Sequence, residues 1–290
     1  MKAMDGKIVI ITGATSGIGR ETARALTALG ATVGVVGRNA EKGVEIVADL
    51  RKTAKYPDQV SFLRADFASL DEVRGLAKTL HERFERIDVL VNNAGVINAK
   101  RRVTVDDLEE TIAVNHFAHF ALTGLVLDLL QTAPQVRIIN TSSGAHLSGR
   151  IDLDDLQHTR RYSAFGAYGA SKLANLLFTF ELARRLEGTA ITVNAFHPGF
   201  VASGFASNNG RLARTSMLLL TPFAVSSSRG AETAIYLAAK AELATVTGRY
   251  FYQRKQHATS RRAHDLEAMA GLWEASEVLT GVDYGIARVT

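Results

Sequence analysis

Residues 7–23 read KIVIITGATSGIGRETA, and the fold turns on this stretch. Five apolar or β-branched residues, Ile8 to Thr12, run into Gly13, Gly17 and Gly19, and helical periodicity follows from residue 18. Glycine costs about 0.5–1 kcal/mol relative to alanine inside a helix or strand, so three beside a strand point to a backbone path closed to other residues. In a parallel α/β sheet the first strand-to-helix turn is where the free N–H groups and partial positive charge of a helix amino terminus can receive a pyrophosphate. The spacing is not G-x-G-x-x-G, because Thr22 stands where the third glycine would, and no Gly-Lys-Ser/Thr follows to make a Walker loop. Taken alone, the glycines fit a structural turn as well as a nucleotide cradle.

Outward from this stretch, short β-rich runs recur at 7–12, 32–36, 60–65, 88–92, 136–142, 191–196 and 249–253. Several lack polar alternation, as strands covered on both faces do. Between them, 18–29, 40–54, 69–84, 106–131 and 168–187 carry apolar residues at helical spacing. Strand and helix alternate throughout with no Pro/Gly/Ser linker. The expected fold is therefore a single α/β domain over 1–290, a Rossmann-type doubly wound parallel sheet of about seven strands with helices on both faces. Two segments, 144–167 and about 200–223, are longer than ordinary connections, and long loops in compact domains are often functional.

The whole chain has 290 residues, 47% hydrophobic and 22% charged, the balance of an ordinary globular protein. The absence of cysteine excludes disulfides, thiolate metal sites and cysteine nucleophiles, and fits a reducing cytoplasm. The apolar run near the amino terminus is too short for a signal peptide, and no stretch approaches the about 18 apolar residues of a membrane span. A net charge of +5 and pairs such as Arg160-Arg161 and Arg261-Arg262 raise nucleic-acid binding. The pairs are scattered, lack interleaved aromatics and match no nucleic-acid module, so solvated surface is the better reading.

Further motifs follow in order: N-N-A-G at 92–95, Asn115 in a helical pattern, Ser142-Ser143 after the fifth strand, Y-x-x-x-K at 168–172 and P-G at 198–199. With T-G-x-x-x-G-x-G at 12–19, the set resembles the short-chain dehydrogenase/reductase family over essentially the whole chain. Within it, SKLANLLFTFELARRLEG at 171–188, HPGFV at 197–201 and GLWEASEVL at 271–279 are similar to the retinol dehydrogenase branch. The resemblance implies an oxidoreductase of the CH–OH/C=O class using NAD(P). The membrane anchor of many animal members is not expected here; the location expected is cytoplasmic.

A helical separation of four places Tyr168 and Lys172 about 6 Å apart along the axis on one face. The expectation is that the ammonium group lowers the phenol's pKa from about 10 and makes Tyr168 the proton acceptor or donor. Ser143, beyond the fifth strand, would bind the substrate oxygen, with Ser142 the alternative. The family's serine and tyrosine usually lie closer; here 25 positions separate 143 from 168, as an insertion in the retinol dehydrogenase branch would allow. The resemblance gives Asn115 a proton-relay role through water. His116 and His119 read as helix-surface or interface residues, and no metal site is expected.

The resemblance assigns Gly13, Thr15, Ser16, Gly17, Ile18 and Gly19 to the pyrophosphate loop. It places Asp66 at the adenine, Asn93, Ala94 and Gly95 along the adenosine, and Pro198, Gly199 and Val201 at the nicotinamide, with Tyr168 and Lys172 also touching the coenzyme. An NAD site usually presents an acidic residue about 20 positions beyond the glycines. Here Gly37 holds that position and Arg38 follows, which favours NADP(H) over NAD(H). Phe200, Val201, Phe205 and Met217 to Leu220 could form an apolar lid over a small apolar carbonyl or alcohol substrate, or pack against another subunit. Family dimers and tetramers commonly use helices equivalent to 106–131 and 168–187. The competing reading is a catalytically silent NADP(H) sensor or scaffold of the same fold.

Overall fold

The computed structural model describes residues 2–200 and 225–286. Of the expected lid only Phe200 is described, and it is exposed; the rest of that segment, Val201 included, lies outside the described residues. Strands β1 (Ile8–Thr12), β2 (Thr32–Gly37), β3 (Val60–Arg64), β4 (Val89–Asn92), β5 (Val136–Thr141), β6 (Ile191–His197) and β7 (Arg249–Tyr252) are hydrogen-bonded in parallel in the order β3-β2-β1-β4-β5-β6-β7. An eighth, the two-residue β8 (Lys255–Gln256), pairs antiparallel with β7. The expected seven strands are all present, and β8 corrects the count: both of its residues are exposed, so no apolar run marks it.

Helices α1 (Gly17–Ala28), α2 (Ala40–Arg51) and α8 (Ser227–Ala239) cover one face of the sheet, where Leu26, Leu50 and Leu237 bury against Val9, Ile11 and Val33. The other face carries α3 (Leu70–Arg83), α5 (Ala118–Leu125), α7 (Ala164–Arg185) and α9 (Leu266–Thr280), with Leu76, Phe117, Leu176 and Trp273 over Ile10 and Leu90. All six residues of β5 are buried, which is why that strand reads as a continuous run without alternation.

The segment expected as one helix over 106–131 is broken. It consists of α4 (Glu110–Ile112), a π turn at Ala113–Phe117, α5, and α6 (Leu127–Gln131) after an interruption at Val126. Residues 111–123 are all buried, so there is no polar face whose phase would reveal the extra residue of the π turn, and the sequence pattern is silent about it. The helix carrying the Tyr-Lys pair begins four residues earlier than the motif, where the Ser163 side chain accepts the Gly166 N–H. Phe120 of α5 and Phe178 of α7 pack on Trp273 of α9, and Phe120 also packs on Tyr284. Those faces of the helices expected at a dimer contact are thus taken up within the chain.

Candidate active site

The strand order reverses beside β1, so the carboxyl ends of β1 and β4 open a crevice of the kind that binds ligands in doubly wound sheets. Gly13 leaves β1 with φ +65° and Gly17 enters α1 with φ +56°, both in the left-handed region. Ser16 caps α1 without a side-chain hydrogen bond, and no acidic residue occupies the first turn. By contrast Asn39, Ser69, Ser163, Ser226 and Asp265 each cap their own helices with a side-chain acceptor. The first N–H groups of α1 are left for an anion, as a dinucleotide pyrophosphate requires. The residues present fit a dinucleotide.

Around this turn the N-N-A-G segment is held by hydrogen bonds to β1. The Asn93 side chain donates to Thr12 O at 2.8 Å, and the Asn93 and Ala94 N–H groups donate to Thr12 Oγ1 at 2.8 and 2.9 Å. Asn93, Ala94 and Gly95 are half-buried along the crevice. Arg38 is exposed at the end of β2. Asp66 accepts the Ala68 N–H at 3.0 Å and so shapes the turn after β3. Pro198 and Gly199 follow β6 on the same edge.

Ser143 and Tyr168 meet although 25 positions separate them in the chain. The strap after β5 comes close to α7 at a pair of glycines: a Cβ on Gly149 would strike the Gly169 carbonyl. The Ser143 hydroxyl accepts the Ala145 N–H at 3.2 Å and is hydrogen-bonded to the Tyr168 phenol. Ser142, the alternative, is turned away, its buried hydroxyl donating to Lys172 O at 2.8 Å. Lys172 Nζ lies 5.6 Å from the centroid of the Tyr168 ring and donates to Thr141 O at 3.1 Å.

The expected depression of the Tyr168 pKa is corrected. Loss of hydration pushes it up to about 12, and the Ser143 hydrogen bond only partly opposes this. Lys172 cannot act as a permanent cation, because burial lowers its own pKa to about 7. The phenol therefore enters neutral solution protonated, next to an amine poised to take up or release a proton.

Asn115 lies in the π turn, fully buried. Its Oδ1 accepts the Val96 N–H at 2.7 Å, while its Nδ2 donates to Val96 O at 3.0 Å and Ser171 Oγ at 2.9 Å. Ser171 in turn donates to Tyr168 O at 2.8 Å. The side chain is thus engaged in tying the N-N-A-G strand end to α7, and the backbone carbonyl lies 3.1 Å from His119 Nδ1. His116 and His119 are not on the surface: they are 1% and 2% exposed, because α5 lies between the sheet and α9.

Burial holds both imidazoles neutral, each near pKa 3 against an ordinary 6.5. Between those values the unfolded chain binds protons that the folded chain does not, so stability falls as pH drops from about 6.5 toward 3. Each histidine contributes a slope of up to about 1.4 kcal/mol per pH unit in that window. Urea midpoints measured from pH 7 to 4 should fall, and His116→Leu should flatten the slope; an unchanged slope would count against it.

A sequence profile of the family described as short chain dehydrogenase matches residues 7–212. The chain belongs to the short chain dehydrogenase family. It is 40% identical over 279 residues to retinol dehydrogenase 12 of Mus musculus, spanning 96% of this chain and 88% of the relative. To retinol dehydrogenase 13 of Homo sapiens it is 41% identical over 285 residues, spanning 96% and 86%. Among solved structures, an uncharacterized protein from Mycobacterium paratuberculosis superposes with TM-score 0.78 at 35% identity, covering 97% of this chain and 95% of the other.

This short chain dehydrogenase is retinol dehydrogenase-like, and it is an oxidoreductase of alcohols and carbonyls with NAD(P). Among the described residues no helix is long and apolar enough to cross a membrane. Three residues to which the motifs assign no role of their own join the site through hydrogen bonds: Thr12 at the start of the glycine motif, Ser171 between Tyr168 and Lys172, and His119.

Proposed function

We propose that the protein moves a hydride between NADP(H), in preference to NAD(H), and an apolar ketone, aldehyde or alcohol. The observation that carries this reading is the meeting of Ser143, Tyr168 and Lys172 at the carboxyl end of β5, in a sheet whose first strand leads to an α1 amino terminus with no side-chain cap. When bound, the nicotinamide supplies or accepts the hydride. Tyr168 gives its proton to the carbonyl oxygen as charge develops there, or takes it from the alcohol in the reverse direction. Ser143 donates a hydrogen bond to the same oxygen, its geometry fixed beforehand by the Ala145 N–H. Lys172 restores the proton to Tyr168. Gly13, Thr15, Ser16, Gly17, Ile18 and Gly19 would hold the pyrophosphate, Asp66, Asn93, Ala94 and Gly95 the adenosine, and Pro198, Gly199 and Val201 the nicotinamide.

Coenzyme preference rests on the end of β2. A Cβ added to Gly37 would sit 2.7 Å from Thr15 Cγ2, so the place where an acidic side chain would take the ribose hydroxyls is filled. Arg38 follows with a planar donor fork suited to a 2′-phosphate. Arg38→Ala should raise the KM for NADPH about tenfold, the loss of one charge-assisted contact, and leave that for NADH within about twofold. Equal changes for the two coenzymes would remove Arg38 from the selection.

The likeness to retinol dehydrogenases supports an apolar substrate. Retinal, aliphatic aldehydes, ketones and quinones, followed by NADPH absorbance, test this reading. NADPH binding without turnover across that range would favour the silent sensor, although a sensor has no need of a proton donor.

A further inference from the structure

We infer that His119 is a positioning residue that fixes the coenzyme cradle to the π turn beneath Tyr168 and Lys172. The inference rests on the proposed NADP(H) reading for its choice of probe. The ring of His119 connects the two halves of the site. Nε2 lies 2.9 Å from Thr12 Oγ1, and Nδ1 lies 3.1 Å from the carbonyl of Asn115. The ring also packs at 5.1 Å against Phe67, one residue beyond Asp66.

The partners dictate the tautomer. A hydroxyl has one proton to give and two lone pairs to receive with. Thr12 Oγ1 already receives the Asn93 and Ala94 N–H groups, so toward His119 it can only donate. Nε2 is therefore the acceptor, and it is nearer to Thr12 Oγ1 than the alternative acceptor, Val91 O at 3.3 Å. The carbonyl of Asn115 accepts only, so Nδ1 carries the ring proton. A single imidazole thereby sets the rotation of the Thr12 hydroxyl, whose lone pairs hold the N-N-A-G turn, and engages a carbonyl of the π turn. Thr123 Oγ1 donates to His119 O at 2.7 Å and receives Asn92 Nδ2 at 3.1 Å, so the backbone at 119 is tied to β4 as well. All of these groups except the turn itself are buried, where a hydrogen bond is screened least and a missing partner costs most.

Two conservative variants divide the ring's functions. Gln places an acceptor near the Nε2 position and Asn a donor near the Nδ1 position; Leu supplies neither. NADPH affinity measured by fluorescence should weaken about fivefold in His119→Leu and His119→Asn, one net hydrogen bond each, and return to within about twofold of the parent in His119→Gln. Turnover should show the crossed pattern: kcat kept in His119→Asn and reduced in His119→Gln. Thermal midpoints recorded alongside identify a merely structural role. Equal NADPH affinity in Gln and Leu variants, or affinities that follow the thermal midpoints across all three, would overturn the inference. If the parent turns over no carbonyl tested, the substrate reading fails while the NADPH affinities still decide His119.

Discussion

Tyr168→Phe is expected to lower kcat by about 10²–10⁴-fold, the contribution of a positioned general acid, while NADPH binding stays within about twofold of the parent. The change removes one oxygen from a ring whose packing is otherwise kept. Because burial holds the phenol near pKa 12, it is protonated throughout the neutral range and ready to donate to a carbonyl. The cost of losing it falls on the chemical step alone, since Ser143 still has a hydrogen-bond partner in the substrate oxygen. Single-turnover measurements with saturating NADPH separate the step from binding. A variant with more than a tenth of the parent kcat would remove the Tyr168 hydroxyl from the mechanism.

Gly13→Ala is expected to damage both stability and coenzyme binding with a single methyl. At φ +65° an L side chain pays about 1–2 kcal/mol for the left-handed conformation alone. The new Cβ would also stand 2.7 Å from Ala94 Cα, a backbone atom that cannot yield as a side-chain tip can. Relief requires β1 and the N-N-A-G turn to move apart, which breaks the Thr12 contacts to Asn93 and Ala94. The expected loss of stability is about 2–4 kcal/mol, with NADPH affinity reduced at least tenfold. Urea denaturation and a coenzyme titration measure the two effects. Parental stability and affinity together would show that the turn tolerates a side chain and would remove the argument for its glycine.

How much of the site could be read beforehand differs from residue to residue. The positions of the glycine turn and Asn93 beside β1, and of Ser143 after β5 near Tyr168 and Lys172, are legible because each motif has a fixed place in the strand order. The choice of Ser143 over Ser142 was not, since the two differ only in which way the chain turns after Thr141: one hydroxyl meets Tyr168 and the other Lys172 O. The protonation of Tyr168 was misread because a charge pair can be counted along a helix whereas dehydration cannot. His119 reads as a helix-surface or interface residue because histidine suits either side of an amphipathic pattern, and nothing local reveals that α9 returns to cover α5.

The sequence by itself determined the alternation of strands and helices, the parallel sheet and the glycine turn after β1. These follow from the burial of apolar runs on both strand faces and from backbone conformations open to glycine alone. Tertiary structure alone decided which buried groups share hydrogen bonds, where the π turn opens the helix at Ala113–Phe117, and which of Tyr168 and Lys172 holds its proton. The physical reason is that hydration and hydrogen-bond geometry depend on atoms brought together from distant parts of the chain. Residues 12, 115, 119, 143 and 168 acquire their chemistry from neighbours that no local window contains.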